Sequence, residues 1–216
     1  MLKLIIFDYD GLLVNTEDLA FWAEKELLKK FGVELTFEEF FKFLGHSVRE
    51  TLEYYKKTFS LSPSLDELER LRYEIVYKLL PEKLELRPGA KELLDFLEKK
   101  GIKKVIASSG KREYILKGLE ILGIRERFSR ITTVDEVKRG KPAPDLFLKA
   151  LEKEGVNPSQ ALVLEDSLTG VEAASRAGIL AIAIPYFKEQ FPQYKDCPLV
   201  AKSLKEVRDL LEVTQD

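Results

Sequence analysis

Cysteine is nearly missing from these 216 residues. Cys197 is the only one, so no internal disulfide can form and no cysteine cluster can hold zinc or an iron–sulfur group. A reducing, cytoplasmic compartment is the expectation that follows. Missing too is any apolar run near the roughly 20 residues of a membrane span, so no membrane partner is expected. The opening run meets Asp8 and Asp10 at once, is too short for a signal peptide, and reads instead as a strand from Leu2 to Phe7. Net charge is only −2, without the basic excess that nucleic-acid binders usually carry, so no nucleic-acid partner is expected. Two phosphate-binding strings are absent as well. Gly140-Lys141 is followed by proline and lacks the spaced glycine of a Walker loop, and there is no G-x-G-x-x-G fingerprint. Asn, Gln and Met are scarce beside abundant Lys and Glu, a balance often seen in proteins that must survive heat. The composition, 45% hydrophobic and 33% charged, is that of a globular protein, and 216 residues are enough for one large domain or one domain carrying a smaller insertion.

Five short apolar runs have the character of buried strands: Leu4 to Phe7, Lys104 to Ala107, Arg130 to Val134, Ala161 to Leu164 and Leu180 to Ile184. From the second onward, helical patterns alternate with them. After Pro88, Leu93, Leu94 and Leu97 share a side. After Lys111, Ile115, Leu119 and Leu122 do so before Gly123, and near Pro144 a third pattern gathers Phe147, Ala150 and Leu151 before Gly155. This alternation predicts an α/β fold with a doubly wound, Rossmann-like parallel sheet.

Residues 16–86 break the alternation, because only helical periodicity is found there. Three capping boxes are predicted, Thr36 with Glu39, Ser47 with Glu50, and Ser64 with Glu67. Leu65, Leu68, Leu71, Ile75 and Leu79 then mark one amphipathic face. The expected organisation is an α/β core of residues 1–15 and 87–216, with an all-α helical insertion at 16–86. Ligands of open parallel sheets bind beyond the carboxyl ends of the strands, so an insertion leaving the first strand there can serve as a lid. Its hinges are expected around Val14 to Glu17 and Leu84 to Pro88. Phe21, Trp22, Phe31, Phe40, Phe41 and Phe43 read as the core of the insertion.

Where the first strand runs out stand Asp8 and Asp10, two positions apart and on one face. Two like charges so close are costly unless a cation neutralises them, and such carboxylates can form part of a magnesium site. The pattern alone also suits a solvated acidic loop; its place at a strand end is what favours the metal. The fourth run ends on Glu165 and Asp166, which can converge on the same ion if strands one and four are neighbours. Asp166 or Ser167 can equally cap the helix that follows. Ser108, Ser109 and Gly110 end the second run at a helix start, an arrangement that suits phosphate, although capping alone explains it too. Lys141, in a loop stiffened by Pro142 and Pro144 and just ahead of the helix near Pro144, can neutralise phosphate charge.

In order and spacing, Asp8-Tyr9-Asp10-Gly11, Ser108, Lys141 within Gly-Lys-Pro-Ala-Pro-Asp, and Glu165-Asp166-Ser167 followed by Gly170-Val171-Glu172-Ala173-Ala174 resemble the haloacid dehalogenase superfamily, in its subgroup with a small helical cap. The resemblance spans Leu4 to about Pro185, while the cap matches only in position, length and helicity. It implies that Asp8 attacks phosphorus and that Asp10 protonates the leaving oxygen, then deprotonates water. It also implies Mg²⁺ held by Asp8, Asp166 and the backbone carbonyl of Asp10, with Glu165 acting through a water or as a further ligand. Ser108 and Lys141 would bind the transferring phosphoryl group.

Dehalogenases and phosphonate-cleaving relatives lack the acid found here as Asp10, which points to a phosphatase acting on a small phosphorylated metabolite such as a sugar phosphate. P-type ATPases share the nucleophile but need a membrane domain. The alternative is a phosphomutase resembling β-phosphoglucomutase. Such mutases carry a histidine where Ala20 stands, and an arginine one position nearer the cap glycine than Arg49 lies from Gly45. A non-catalytic phosphate-binding module is the other alternative, disfavoured by the presence of Asp8, Asp10, Lys141 and Asp166 together. Gly45, His46, Ser47 and Arg49 are candidates for contacting the leaving group, although Arg49 can instead pair with Glu53 at helical spacing. A monomer is expected.

Overall fold

A computed structural model describes residues 1–44 and 46–214. Five strands, β1 (Leu4–Phe7), β2 (Lys103–Ser108), β3 (Arg130–Thr133), β4 (Ala161–Glu165) and β5 (Leu180–Ala183), form one parallel sheet in the order β3-β2-β1-β4-β5. β1 is therefore central. Phe7 lies opposite Ile106 on one side and Leu164 on the other, so the carboxyl ends of β1, β2 and β4 finish close together. Their continuous apolar runs reflect burial on both faces, as parallel sheets require.

On one face Leu4, Ile6, Val105, Ala107 and Val163 pack against α7 (Asp145–Glu154) and α8 (Leu168–Arg176), which contribute Phe147, Ala150, Ala173 and Ala174. Outside that cluster, α5 (Ala90–Lys99) buries Leu93, Leu94 and Leu97 while packing against β2 and α9 (Leu204–Thr214). A leucine or phenylalanine fully withdrawn from water contributes about 1.5–3 kcal/mol. The remaining core helix, α6 (Arg112–Ile121), starts directly after β2 and places Ile115 and Leu119 inside.

The chain divides into two compact units, Met1–Asn15 with Glu85–Asp216, and Thr16–Leu84. The second closes two residues earlier than the periodicity suggested. Leu86 forms a bridge with Val14, and the Asn15 N–H donates to the Glu85 carbonyl at 3.1 Å, so Glu85 and Leu86 belong with the sheet-bearing unit.

The second unit consists of α1 (Thr16–Lys29), α2 (Phe37–Phe41), α3 (Val48–Thr58) and α4 (Leu65–Lys83). Leu27, Leu28, Leu35, Phe40, Leu52, Tyr55 and Leu68 make its core, with Phe21, Phe31 and Phe43 packed alongside. Trp22 instead lines a groove, with the Lys83 ammonium 5.3 Å from its ring centre. Of the expected capping boxes, Ser47 with Glu50 has both reciprocal bonds. Thr36 and Ser64 accept from the N–H groups of Glu39 and Glu67, but the Glu39 carboxylate is taken up by Lys42 and Tyr54.

The amphipathic face of α4 is rotated from the expected one. Its buried line is Leu68, Arg72, Val76 and Leu80, flanked by the half-buried Leu65, Leu71, Ile75 and Leu79. A charged residue sits in that line because the Arg72 Nε donates to Glu24 Oε1 at 3.3 Å, and the Tyr55 hydroxyl donates to Glu24 Oε2 at 2.9 Å. Burial pushes the Glu24 carboxyl above its ordinary range, opposed by Arg72 and Tyr55. Removing one partner of such a pair leaves an uncompensated buried group.

Candidate active site

The sheet delivers three chain ends to one place. Asp8 follows β1, its N–H bonded to the Leu164 carbonyl at 3.0 Å, and the residue is 5% exposed. The Lys141 ammonium lies 2.5 Å from Asp8 Oδ1 and also bonds Glu165 Oε1 at the end of β4. All three side chains are buried. Burial, reinforced by the charges of Glu165 and Asp10, pushes the Asp8 carboxyl above the ordinary carboxylate range against the pull of Lys141. For Lys141, burial works to lower the pKa, but Asp8 and Glu165 outweigh it and hold the ammonium above the ordinary lysine value.

The other oxygen of Glu165 is fixed as well. Oε2 accepts from the Ser167 N–H and the Ser167 hydroxyl, both at 2.8 Å. Ser167 is at once the N-cap of α8, accepting from the Gly170 N–H at 3.1 Å. A β-carbon at Gly170 would fall 1.8 Å from Glu165 Oε1, so only glycine lets α8 approach this carboxylate. The chain Ser167–Glu165–Lys141–Asp8 thus runs from a helix cap to the candidate nucleophile.

Asp8, Glu165 and Asp166 each offer an oxygen, and the three lie within 4.8 Å of one another. A β-carbon at Gly11, whose φ is +70°, would come within 2.1 Å of Asp166 Oδ2. Carboxylate donors in a space kept open by a glycine fit a hard divalent cation such as Mg²⁺. Two side chains hold the surrounding backbone: the Arg87 guanidinium donates to the Gly11 carbonyl at 2.5 Å and to the Ile184 carbonyl at 3.3 Å, and the Tyr194 hydroxyl donates to the Asp166 carbonyl.

Asp10 faces the β2–α6 turn. Its Oδ2 accepts from the Ser108 hydroxyl at 3.4 Å and its Oδ1 from the Tyr114 hydroxyl at 3.3 Å, while the Gly110 N–H donates to Ser108 Oγ at 2.9 Å. Ser108 is buried, Gly110 half-buried and Ser109 exposed.

Asp8, Asp10, Ser108, Gly110, Lys141, Glu165 and Asp166 therefore belong to one cluster. The candidates in the helical unit behave differently. His46 is exposed, with its ring 5.7 Å from that of Phe43. Arg49 does not pair with Glu53. It bonds Asp66 at 2.9 Å and Glu69 at 3.1 Å on α4, while Glu53 pairs with Lys57 on its own helix. Gly45 lies outside the described residues. Tyr114, Arg87 and Tyr194 went unrecognised in the sequence. Only Tyr114 carried a signal, its place on the first turn of a helix that opens at the Ser-Ser-Gly turn.

Residues 5–184 match the family described as haloacid dehalogenase-like hydrolase. The phosphorylated carbohydrates phosphatase of Thermotoga maritima is 34% identical over 178 residues, covering 82% of each chain. The validoxylamine A 7'-phosphate phosphatase of Streptomyces hygroscopicus subsp. limoneus is 31% identical over 210 residues, covering 96% of this chain and 97% of its own. CbbY from Rhodobacter sphaeroides, solved as a mutant with xylulose-1,5-bisphosphate, superimposes with a TM-score of 0.78 at 28% identity, covering 95% of this chain and 96% of its own. The chain belongs to the haloacid dehalogenase-like hydrolases.

Proposed function

We propose that the chain hydrolyses a small organic phosphomonoester, a sugar phosphate or similar metabolite, with Asp8 as nucleophile and Mg²⁺ as cofactor. It is a phosphoric monoester hydrolase, the activity given in the names of the Thermotoga and Streptomyces relatives. The observation that carries the detailed reading is Asp8 buried against Lys141 beside Glu165 and Asp166, with Asp10 two residues on.

Asp8, Asp166 and the Asp10 carbonyl would hold the metal, with Glu165 close enough to share it through water. When bound, Mg²⁺ would neutralise carboxylate and phosphoryl charge. An Asp8 oxygen attacks phosphorus as the ester P–O bond breaks, and Asp10 gives its proton to the departing oxygen. Asp10 then takes a proton from water as that water attacks the phosphoryl group on Asp8, releasing phosphate and restoring both carboxyls. Lys141, aimed by Glu165, and Ser108 counter the charge on the phosphoryl oxygens. In the helical unit, His46 and Arg49 are the proposed contacts to the rest of the substrate. The single cysteine supports a reducing, cytoplasmic setting.

Phosphate release from a panel of small monophosphates, followed with Mg²⁺ and with a chelator, tests this reading. Release is expected with the metal and a loss of at least about a hundredfold without it, in line with several kcal/mol of charge stabilisation from such ions. Sugar-phosphate interconversion without phosphate release would place the chain with the mutases instead, and equal release in chelator would remove the metal from the account.

A further inference from the structure

We infer that Tyr114 is a positioning residue for Asp10, its phenol holding that carboxyl in the orientation from which it protonates the leaving group. The inference rests on the proposed role of Asp10 as general acid. Asp10 has a donor at each oxygen, Tyr114 at Oδ1 (3.3 Å) and Ser108 at Oδ2 (3.4 Å). Neither bond is short. Their joint effect is on torsion: a carboxyl's terminal rotation is broad and two-fold when nothing holds it, and two donors from different directions select one setting.

The donors are not equivalent. The Ser108 hydroxyl, which already accepts from the Gly110 N–H at 2.9 Å, can either give a hydrogen to Asp10 or receive one. The Tyr114 hydroxyl has a single hydrogen, and it is directed at Asp10 Oδ1. By donating to Oδ1 it leaves the transferable proton to Oδ2, on the Ser108 side where the phosphoryl group is proposed to bind. A β-carbon at Gly110 would stand 3.2 Å from that same oxygen, so the turn keeps a path to it clear. No proton leaves Tyr114 in either half of the reaction. The proton passes from Asp10 to the ester oxygen, and a second passes from water back to Asp10.

Tyr114 is itself held in place. It lies on the first turn of α6, where the Arg112 N–H donates to Asp135 Oδ2 at 2.9 Å and Ile115 is buried. Its ring meets that of Tyr9 edge-on, with centroids 6.0 Å apart and planes at 89°. Tyr9 is fully buried and stands between Asp8 and Asp10 in the chain, so the phenol that holds the acid is braced by the residue beside it.

Tyr114→Phe keeps the ring and its contact with Tyr9 and removes only the hydroxyl. Its kcat/KM is compared with wild type on glycerol phosphate, whose alkoxide must be protonated to leave, and on p-nitrophenyl phosphate, whose phenolate leaves without a proton. This ratio reports the steps up to leaving-group departure. The expected result is a fall of about tenfold on glycerol phosphate and under about twofold on p-nitrophenyl phosphate, at an unchanged melting temperature. An equal fall on both substrates, the mark of a merely structural defect, overturns the inference, and so does no fall on either. Asp10→Asn separates this failure from that of the underlying reading. If it discriminates between the two substrates and Tyr114→Phe does not, only the role of Tyr114 is lost. If Asp10→Asn does not discriminate, the acid role of Asp10 falls and the inference with it.

Discussion

Asp8→Asn is expected to lower phosphate release by about 10⁴-fold or more while leaving the metal-free protein at least as stable as wild type. An amide cannot form the acyl phosphate, so turnover stops. Stability follows a different sign. The folded-state pKa of Asp8 is raised, by burial first and then by Glu165 and Asp10 against Lys141, above its unfolded value. A raised carboxyl supports the fold below the unfolded pKa, and that support is lost as pH rises through the folded pKa. The ionised form of Asp8 is therefore a cost to the fold when no metal is present. Asparagine removes the charge and keeps an oxygen toward Lys141. Melting in chelator checks this, and a fall of more than about 5 °C, roughly 1–2.5 kcal/mol for a chain of this size, would contradict it. Added Mg²⁺ should then raise the melting temperature of wild type more than that of the variant, because one proposed ligand is gone.

Gly170→Ala should have the second-largest effect, although residue 170 is proposed to touch neither substrate nor metal. Its new methyl would fall 1.8 Å from Glu165 Oε1 and 1.9 Å from Cδ. The carboxylate cannot yield freely, since Ser167 holds one oxygen and Lys141 the other. Either α8 moves off the sheet or Glu165 turns, and a turned Glu165 no longer holds Lys141 in place beside Asp8. The expected outcome is a loss of about 1–3 kcal/mol in stability, as for other overpacked sites, and a fall of about a hundredfold in kcat/KM from the misplaced lysine. Gly155→Ala provides the comparison. Nothing lies within 4 Å of its β-carbon position, so the left-handed φ of 64° sets the cost, about 1–2 kcal/mol, with activity unchanged. Denaturant midpoints and phosphate release on both variants decide the matter. Full activity in Gly170→Ala would show that Glu165 does not aim Lys141.

The parallel sheet was legible because both of its faces are buried, which leaves runs such as Leu4 to Phe7 and Ala161 to Leu164 with no polar interruption. The doubly wound pattern allowed β1 and β4 to be neighbours, and their adjacency in the sheet brings Asp8 to Glu165 and Asp166. The helical unit was harder to read. Arg72 looks like solvent-facing charge in any local window, and only Glu24, 48 positions earlier, explains its burial. Arg49 shows the same limit, since its partners Asp66 and Glu69 come from another helix while Glu53 stood at ideal local spacing. Within the site, the acidic pairs announced themselves through position at strand ends, and Lys141 through its place just ahead of two prolines. The side chains that hold them did not. Arg87 works through backbone carbonyls of Gly11 and Ile184, contacts that leave no pattern in the sequence. Tyr114 depends on a 3.3 Å approach across 104 positions of chain, which periodicity cannot register.

The stereochemical course at phosphorus tests the central claim, covalent transfer through Asp8, most directly. An oxygen-isotope-labelled chiral thiophosphate monoester is hydrolysed in labelled water, and the configuration of the released thiophosphate is determined. Two successive in-line displacements, first by Asp8 and then by water, predict net retention. Net inversion would mean that water attacks the ester in a single step, and Asp8 would no longer be the nucleophile.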